Sequence, residues 1–353
     1  MRLDSYRTLG RSGLRVSPLS LGTMAFGDPS WGSSAEDSRA LIDRYLEAGG
    51  NVIDTANGYT EGRSEEIIGE HLAGRPGLRD RVVLSTKFAR NLFPGDPNGG
   101  GAGRGAVIRQ LEESLRRLRT DHVDLYWQHC WDRNTPLEET MSALDDLVRA
   151  GKVRYVGLSN TPAWAVGRMA TIAEFRGWAP IDALQVEYSL VRRTVEGEFL
   201  DLADALGLGV LAYSPLASGV LSGKYSRDDR TPVGSGRGPL AEAQLSERTF
   251  AIIEVLDRIS GSLGCTPAAA ALAWLRAHSV TSTVVGARTP EQLSANLASL
   301  DVELPPAALA ELDAVSAPEL AYPFPWLATI AVPLQQGGTE INGVSTAGYR
   351  RAV

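Results

Sequence analysis

Along this chain, short runs of β-branched and aliphatic residues alternate with longer stretches in which apolar positions recur every three or four residues. The short runs predict strands at residues 20–24, 51–56, 82–87, 122–129, 153–160, 183–189, 209–216 and 280–286. The longer stretches predict helices at 36–48, 64–72, 106–118, 137–150, 162–175, 197–206, 246–263 and 291–300, with an additional one at 267–277. Start and stop signals agree with them: Thr161-Pro162 opens one helix and Gly151 follows another. Eight strand-helix units in one run, with no composition break between halves, predict a closed parallel (β/α)8 TIM barrel rather than an open doubly wound sheet.

The flanks read differently. Residues 6–16 form a hairpin pattern turning at 10–13, which would plug the N-terminal mouth of the barrel, whose core would run from about 18 to 316. Residues 317–353 are rich in Pro, Gly and aromatic residues and lack a clean period, so this tail is either a lid or a loosely ordered end. The whole of 1–353 is expected to form one domain. Its 43% hydrophobic and 22% charged residues are those of an ordinary soluble globular protein.

Charge and cysteines narrow the class. Lys plus Arg number 35 against 42 Asp plus Glu, a net charge of −7, which argues against a nucleic-acid or anionic-membrane partner. The two cysteines, Cys130 and Cys265, lack Cys-x-x-Cys spacing, and the N-terminus carries charges where an export signal needs apolar residues. A soluble, cytoplasmic protein is expected. Cys130, beside His129 on a strand, should face away from it into packing. The four histidines, His71, His122, His129 and His278, are scattered, so no metal site is expected.

In a barrel, chemistry gathers where strands end and the following loops begin. There the second predicted strand ends in Ile53-Asp54-Thr55-Ala56 with Tyr59 beyond it, the third in Ser85-Thr86-Lys87 and the fourth in Trp127-Gln128-His129. Singly, each residue has an ordinary structural explanation: a capping aspartate, a solvated lysine, a core histidine, a loop tyrosine. Jointly they suit another job, because a lysine and an aspartate ending apolar strands each need the partner that the other supplies. Such a set can protonate an oxygen whose charge rises as hydride reaches a carbonyl carbon: Tyr59 as acid, Lys87 activating it, Asp54 holding Lys87, and His129 orienting the substrate and sharing the donation.

These residues, with Ser64-Glu65 to Ile68-Gly69 and the hairpin Leu9-Gly10-Arg11-Ser12-Gly13-Leu14, resemble the aldo-keto reductase superfamily, its potassium-channel β-subunit-like and bacterial NADPH-dependent branch included. The resemblance spans residues 5–316. It implies a (β/α)8 barrel, a nicotinamide cofactor lying across the C-terminal face, and Asp54, Tyr59, Lys87 and His129 as catalytic tetrad. It further implies cofactor contacts from Gly22, Thr23 and Met24 and from Asp54. Ser159, Asn160 and Gln185 resemble the residues that hold the carboxamide, and Tyr213 the aromatic that stacks under the ring. Ser214, Pro215, Leu216, Ser218, Gly219 and Lys224 resemble the pyrophosphate loop, and Arg237 would fold over the same phosphates. At the adenine end stand Gly286, Arg288, Gln292 and Asn296, and Arg288 suits a 2′-phosphate, favouring NADPH over NADH. Ala295 stands where relatives commonly carry a glutamate.

The stretch Gly101-Ala102-Gly103-Arg104-Gly105-Ala106 fits a loose Gly-x-Gly-x-x-Ala form, with Asp121 about twenty residues on, but it is too far from its strand to be a dinucleotide fingerprint. It is expected to border the substrate cleft. Pocket walls are expected from Met24, Phe26, Trp31, Tyr59, Phe88, His129 and Trp131, with Tyr322, Phe324 and Trp326 available from the tail. These suit broad apolar carbonyl compounds better than small charged aldehydes. The expected activity is therefore NADPH-dependent, reversible reduction of an aldehyde or ketone. Two rivals stand beside it: a class I aldolase with Lys87 as Schiff-base nucleophile, and an NADPH-binding redox sensor with slow turnover.

Overall fold

The computed structural model describes residues 1–231, 238–341 and 343–345. A short antiparallel hairpin, β1 (Arg7–Thr8) and β2 (Arg15–Val16), precedes the barrel. The barrel strands are β3 (Leu19–Gly22), β4 (Val52–Asp54), β5 (Val83–Phe88), β6 (Val123–Gln128), β7 (Val153–Ser159), β8 (Ile181–Glu187), β9 (Gly209–Tyr213) and β10 (Ser282–Gly286). Each pairs in parallel with the next, and β10 closes onto β3, so the sheet has no edge. Around it run α1 (Ala35–Glu47), α2 (Arg63–Ala73), α3 (Arg104–Leu118), α4 (Leu137–Arg149), α5 (Ala163–Arg176) and α6 (Val195–Leu206). The chain continues through α7 (Gly238–Glu242), α8 (Glu247–Leu263), α9 (Pro267–Arg276), α10 (Pro290–Leu297) and α11 (Pro306–Val315). This is the (β/α)8 barrel that the periodicity predicts.

Two cores follow from strand alternation. Outward-facing residues pack against the helices, while Val52, Val83, Leu125, Trp127, Ala183, Leu211 and Val284 fill the barrel interior. Leu9 of the hairpin, with no exposed surface, belongs to that interior cluster and plugs its lower end. Gly10 makes the plug possible: its φ is +56°, and a Cβ there would lie 2.5 Å from the Gly207 carbonyl oxygen.

Boundaries depart from the sequence expectation at strand ends. β3 stops at Gly22 rather than 24 because Thr23 turns to donate both its amide and its hydroxyl to the Asp54 carbonyl. β9 stops at Tyr213 rather than 216 because Ser214 is left-handed, φ 51°. The expected helix 291–300 divides into α10 and a 3-10 turn at Ala298–Asp301, and α11 was not anticipated from the pattern. In the tail, Phe324–Trp326, Leu327–Ala331 and Val332–Gln336 form helical turns, and Phe324 and Leu320 lie against Gly197 of α6. No helix among the described residues is long and apolar enough to cross a membrane.

Candidate active site

The interior face of the strands changes character toward the C-terminal end of the barrel. Two residues beyond the apolar positions Val52, Val83 and Ala183, the same face carries Asp54, Ser85 and Gln185, and Lys87 follows two further on. Period two alone puts these polar groups inside the rim. Tyr59 arrives from a 3-10 turn, Tyr59–Gly62, after β4, in which Thr60 and Glu61 are left-handed at φ 48° and 55°. That turn is tied down: the Tyr59 amide donates to the Ala56 carbonyl, the Thr60 hydroxyl to the Phe26 carbonyl and Arg117 to the Asn57 carbonyl. Arg117 also pairs with the buried Glu65 at 3.2 Å, so the start of α2 is anchored beneath the turn.

Lys87 is fully buried, and its Nζ donates to Asp54 Oδ2 at 2.5 Å, to the Thr55 carbonyl at 2.9 Å and to the Tyr59 hydroxyl at 3.2 Å. All three ammonium donors are therefore satisfied. Burial pulls the Lys87 amine down, but Asp54 and the Tyr59 oxygen outweigh it and the net direction is upward. Lys87 is accordingly an ammonium. Asp54 Oδ1 in turn accepts from the Ser85 hydroxyl at 2.6 Å and from Gln185 Nε2 at 3.1 Å. A buried pair survives when its remaining lone pairs are met in this way.

His129 lies one residue past β6, its ring edge-on to Tyr59 with centroids 5.9 Å apart. Burial, then the Lys87 cation, drives its pKa down to about 4, against a smaller upward pull from Asp54. At neutral pH the ring is neutral. It can donate or accept a hydrogen bond beside the tyrosine, but it is not a cationic acid.

The remaining expected contacts form a second line along the rim. The Tyr213 hydroxyl donates to Asn160 Oδ1 at 2.8 Å, and Asn160 Nδ2 donates to the His129 carbonyl at 2.9 Å and to Ser159 Oγ at 3.1 Å. Asn160 itself is left-handed, φ 46°. Ser214, Ser218 and Gly219 follow in a loop whose Ala217, Ser218 and Gly219 all have positive φ, with Pro215 and Leu216 between them and Lys224 crossing Gly219. Burial, then the Arg288 cation, lowers the Lys224 amine, so the two positive groups lie near enough to repel. Gly286 pairs with Gly22 across the barrel seam, Asn296 donates to the Gly286 carbonyl, and Gln292 accepts from the Arg288 amide. Arg237 lies outside the described residues.

The expected pocket walls separate into two groups. Met24 is exposed, and Trp31 and Trp131 are half-buried. Phe26 and Phe88 have no exposed surface and belong to the core between sheet and helices, Phe88 against Tyr126 with ring centroids 4.8 Å apart. They pack the barrel wall rather than face a cleft, because Phe88 has the opposite strand parity to Lys87. Cys130 also departs from expectation: it follows the end of β6, where alternation no longer applies, and is exposed. The glycine-rich stretch before α3 is held by carboxylates, the Ala102 amide donating to Asp132 and the Arg104 amide to Glu139. Groups that the sequence reading missed are Ser85, Arg90 and Trp164, the last edge-on to Trp131 at 5.5 Å. Strand alternation from Lys87 could have found Ser85.

Comparison with known proteins identifies the family of the barrel. The model of the Aldo/keto reductase family matches residues 18–317. An uncharacterized oxidoreductase of Bacillus subtilis, YrpG, is 38% identical over 309 residues, covering 85% of this chain and 92% of its own. Versiconal hemiacetal acetate reductase of Aspergillus parasiticus is 32% identical over 339 residues, covering 90% and 98%. A probable voltage-gated potassium channel subunit beta of Oryza sativa is 37% identical over 313 residues, covering 84% and 91%. With the barrel, the match over most of its length and these relatives together, the chain belongs to the aldo/keto reductase family.

Proposed function

We propose that this protein is an NADPH-dependent reductase of aldehydes or ketones, reversible toward alcohol oxidation, with Tyr59 as the proton donor and acceptor. The observation that carries the reading is the buried Lys87 ammonium shared by Asp54 and the Tyr59 hydroxyl. In a nicotinamide-loaded barrel the dihydronicotinamide supplies the hydride. The protein's own part is the proton: Tyr59 releases it to the carbonyl oxygen, and the ammonium 3.2 Å away stabilises the phenolate left behind. Asp54, held by Ser85 and Gln185, keeps that ammonium aimed. Neutral His129 donates a hydrogen bond that orients the carbonyl.

The residues present fit the cofactor. Lys224 and Arg288 converge beside a loop of left-handed residues, a cationic cradle suited to a phosphorylated dinucleotide, and Ser159, Asn160 and Gln185 line the rim where a carboxamide would be held. The aldolase reading loses support, because a Schiff-base nucleophile needs a neutral amine and Lys87 is held charged with every donor committed. The likeness to a channel β subunit keeps a slow, regulatory NADPH-binding role as the second reading.

Purified protein should oxidise bound NADPH in a single turnover when given a good carbonyl substrate. Tyr59→Phe is expected to lower reduction by at least about a thousandfold, in the range of a lost general acid, while NADPH still quenches protein fluorescence with near-native affinity. Full activity in Tyr59→Phe would overturn the assignment. A native-like Tyr59→Phe that only matches an already slow wild type would favour the regulatory reading.

A further inference from the structure

The first turn after β5 carries a cation that the tetrad does not use. β5 ends at Phe88, and the next residue, Ala89, is left-handed at φ 93°, a conformation that an alanine keeps only when its surroundings hold it. Here they do: the Ala89 amide donates to Gln110 Oε1 at 3.0 Å and its carbonyl accepts from Gly101 at 2.9 Å. Gln110 also accepts from Asn57 at 2.8 Å, and Asn57 donates to the Arg90 carbonyl at 3.3 Å. The corner that launches Arg90 is thus locked to the loop carrying Tyr59.

The side chain completes the arrangement. Arg90 lies across Gly58, where a Cβ would stand 2.1 Å from its Cδ, and its Nη1 donates to the Gly58 carbonyl at 2.6 Å. Arg90 is exposed, and among the described residues it forms no ion pair and makes no other side-chain hydrogen bond, so most of its five donors are left to solvent and to any ligand that reaches them. Its charge nevertheless reaches His129, whose ring it helps to keep neutral. A left-handed corner and a bare backbone step therefore hold one solvent-facing guanidinium on the Gly58 carbonyl, one residue before the tyrosine.

We propose that Arg90 is a specificity-determining residue that selects carbonyl compounds bearing a carboxylate or similar anionic oxygen near the reacting carbonyl. The inference rests on the reductase reading for its substrate class. It also reverses one sequence expectation, that charged aldehydes are disfavoured. A planar guanidinium with free donors pairs with a carboxylate in a way that apolar walls cannot.

The test compares benzaldehyde with its 2-, 3- and 4-carboxylated forms under NADPH. The ratio of kcat/KM for the best carboxylated form to that for benzaldehyde should fall at least about tenfold in Arg90→Gln and recover in part in Arg90→Lys, as expected for loss and return of one charge-assisted contact. Gly58→Ala, which displaces the side chain without altering it, should lower the same ratio and covers the case in which Arg90→Gln fails to fold. An unchanged ratio in these variants overturns the proposal. If the wild-type protein oxidises bound NADPH with none of the four aldehydes and with no ketone of a wider panel, the reductase reading fails instead; in either case of inactivity toward the four, Arg90 is judged by benzoate binding through tryptophan fluorescence. Affinity weakened at least about fivefold by Arg90→Gln would support it, and equal affinity would overturn it.

Discussion

At the scale of single residues, Asp54 does more than neutralise Lys87. Its second oxygen is shared by Ser85 and Gln185, so the orientation of the carboxylate is set from two further strands. Ser85→Ala removes a hydrogen bond to a charged group, worth roughly 1.5–3 kcal/mol. We expect kcat to fall about tenfold or more with little change in KM, and Ser85→Thr to restore most of it. Were KM alone to change, Ser85 would be part of the substrate wall and not a positioning residue. His129 makes a separate prediction about stability. Its pKa falls from an ordinary 6.5 to about 4 on folding, so between those values the unfolded chain binds the extra proton and stability is lost as pH falls. The loss integrates to about 3 kcal/mol. Urea unfolding at pH 7 and pH 4 should reveal a drop smaller by about this amount in His129→Gln than in the wild type.

Secondary-structure elements divide their labour by parity. Along β5, Val83, Ser85 and Lys87 face the barrel interior, while Leu84 and Phe88 join the core beneath the helices. Phe88→Ala should therefore destabilise the fold by about 3–5 kcal/mol, as deletion of a buried aromatic does, and leave the order of preference among carbonyl substrates as it was. A reordered substrate panel with unchanged urea midpoint would place Phe88 in the pocket after all. The periodic pattern revealed these strands because one apolar face repeats every second residue, a local property. It missed where they stop. Asn160, Ser214 and Ala89 are left-handed without being glycine, and neighbouring segments hold them there, so no local signal marks the turn.

For the molecule as a whole, closure of β10 onto β3 decides what the rim can do. It brings Gly286 beside Gly22 and ranges Lys224 and Arg288 on the same mouth as the tetrad. The chain is acidic overall, at −7, yet these cations meet locally. If they hold a dinucleotide's phosphates, NADPH affinity should weaken as ionic strength rises from 0.05 to 0.5 M, since the Debye length then shrinks from about 14 Å to about 4 Å. Arg288→Ala should flatten that dependence and weaken NADPH far more than NADH in fluorescence titrations. Equal losses for both nucleotides would move the 2′-phosphate contact to another residue.

Legible in the chain alone were the order of the barrel strands and their helices, the plugging hairpin, and Asp54, Lys87 and His129 at neighbouring strand ends with Tyr59 in the loop between. Those features are local: periodicity, caps and the polar residues that interrupt apolar strands. Folding in three dimensions was needed to show that Lys87 meets Asp54 and Tyr59 at once, that Phe26 and Phe88 serve the core, that Cys130 is exposed, and that Arg90 reaches the Gly58 carbonyl next to the tyrosine. Hydropathy reports how far a side chain avoids water, not which of two cores receives it. Partners separated by some thirty residues in the chain find each other only when β4 pairs with β5 and the loops beyond both strands are set in place.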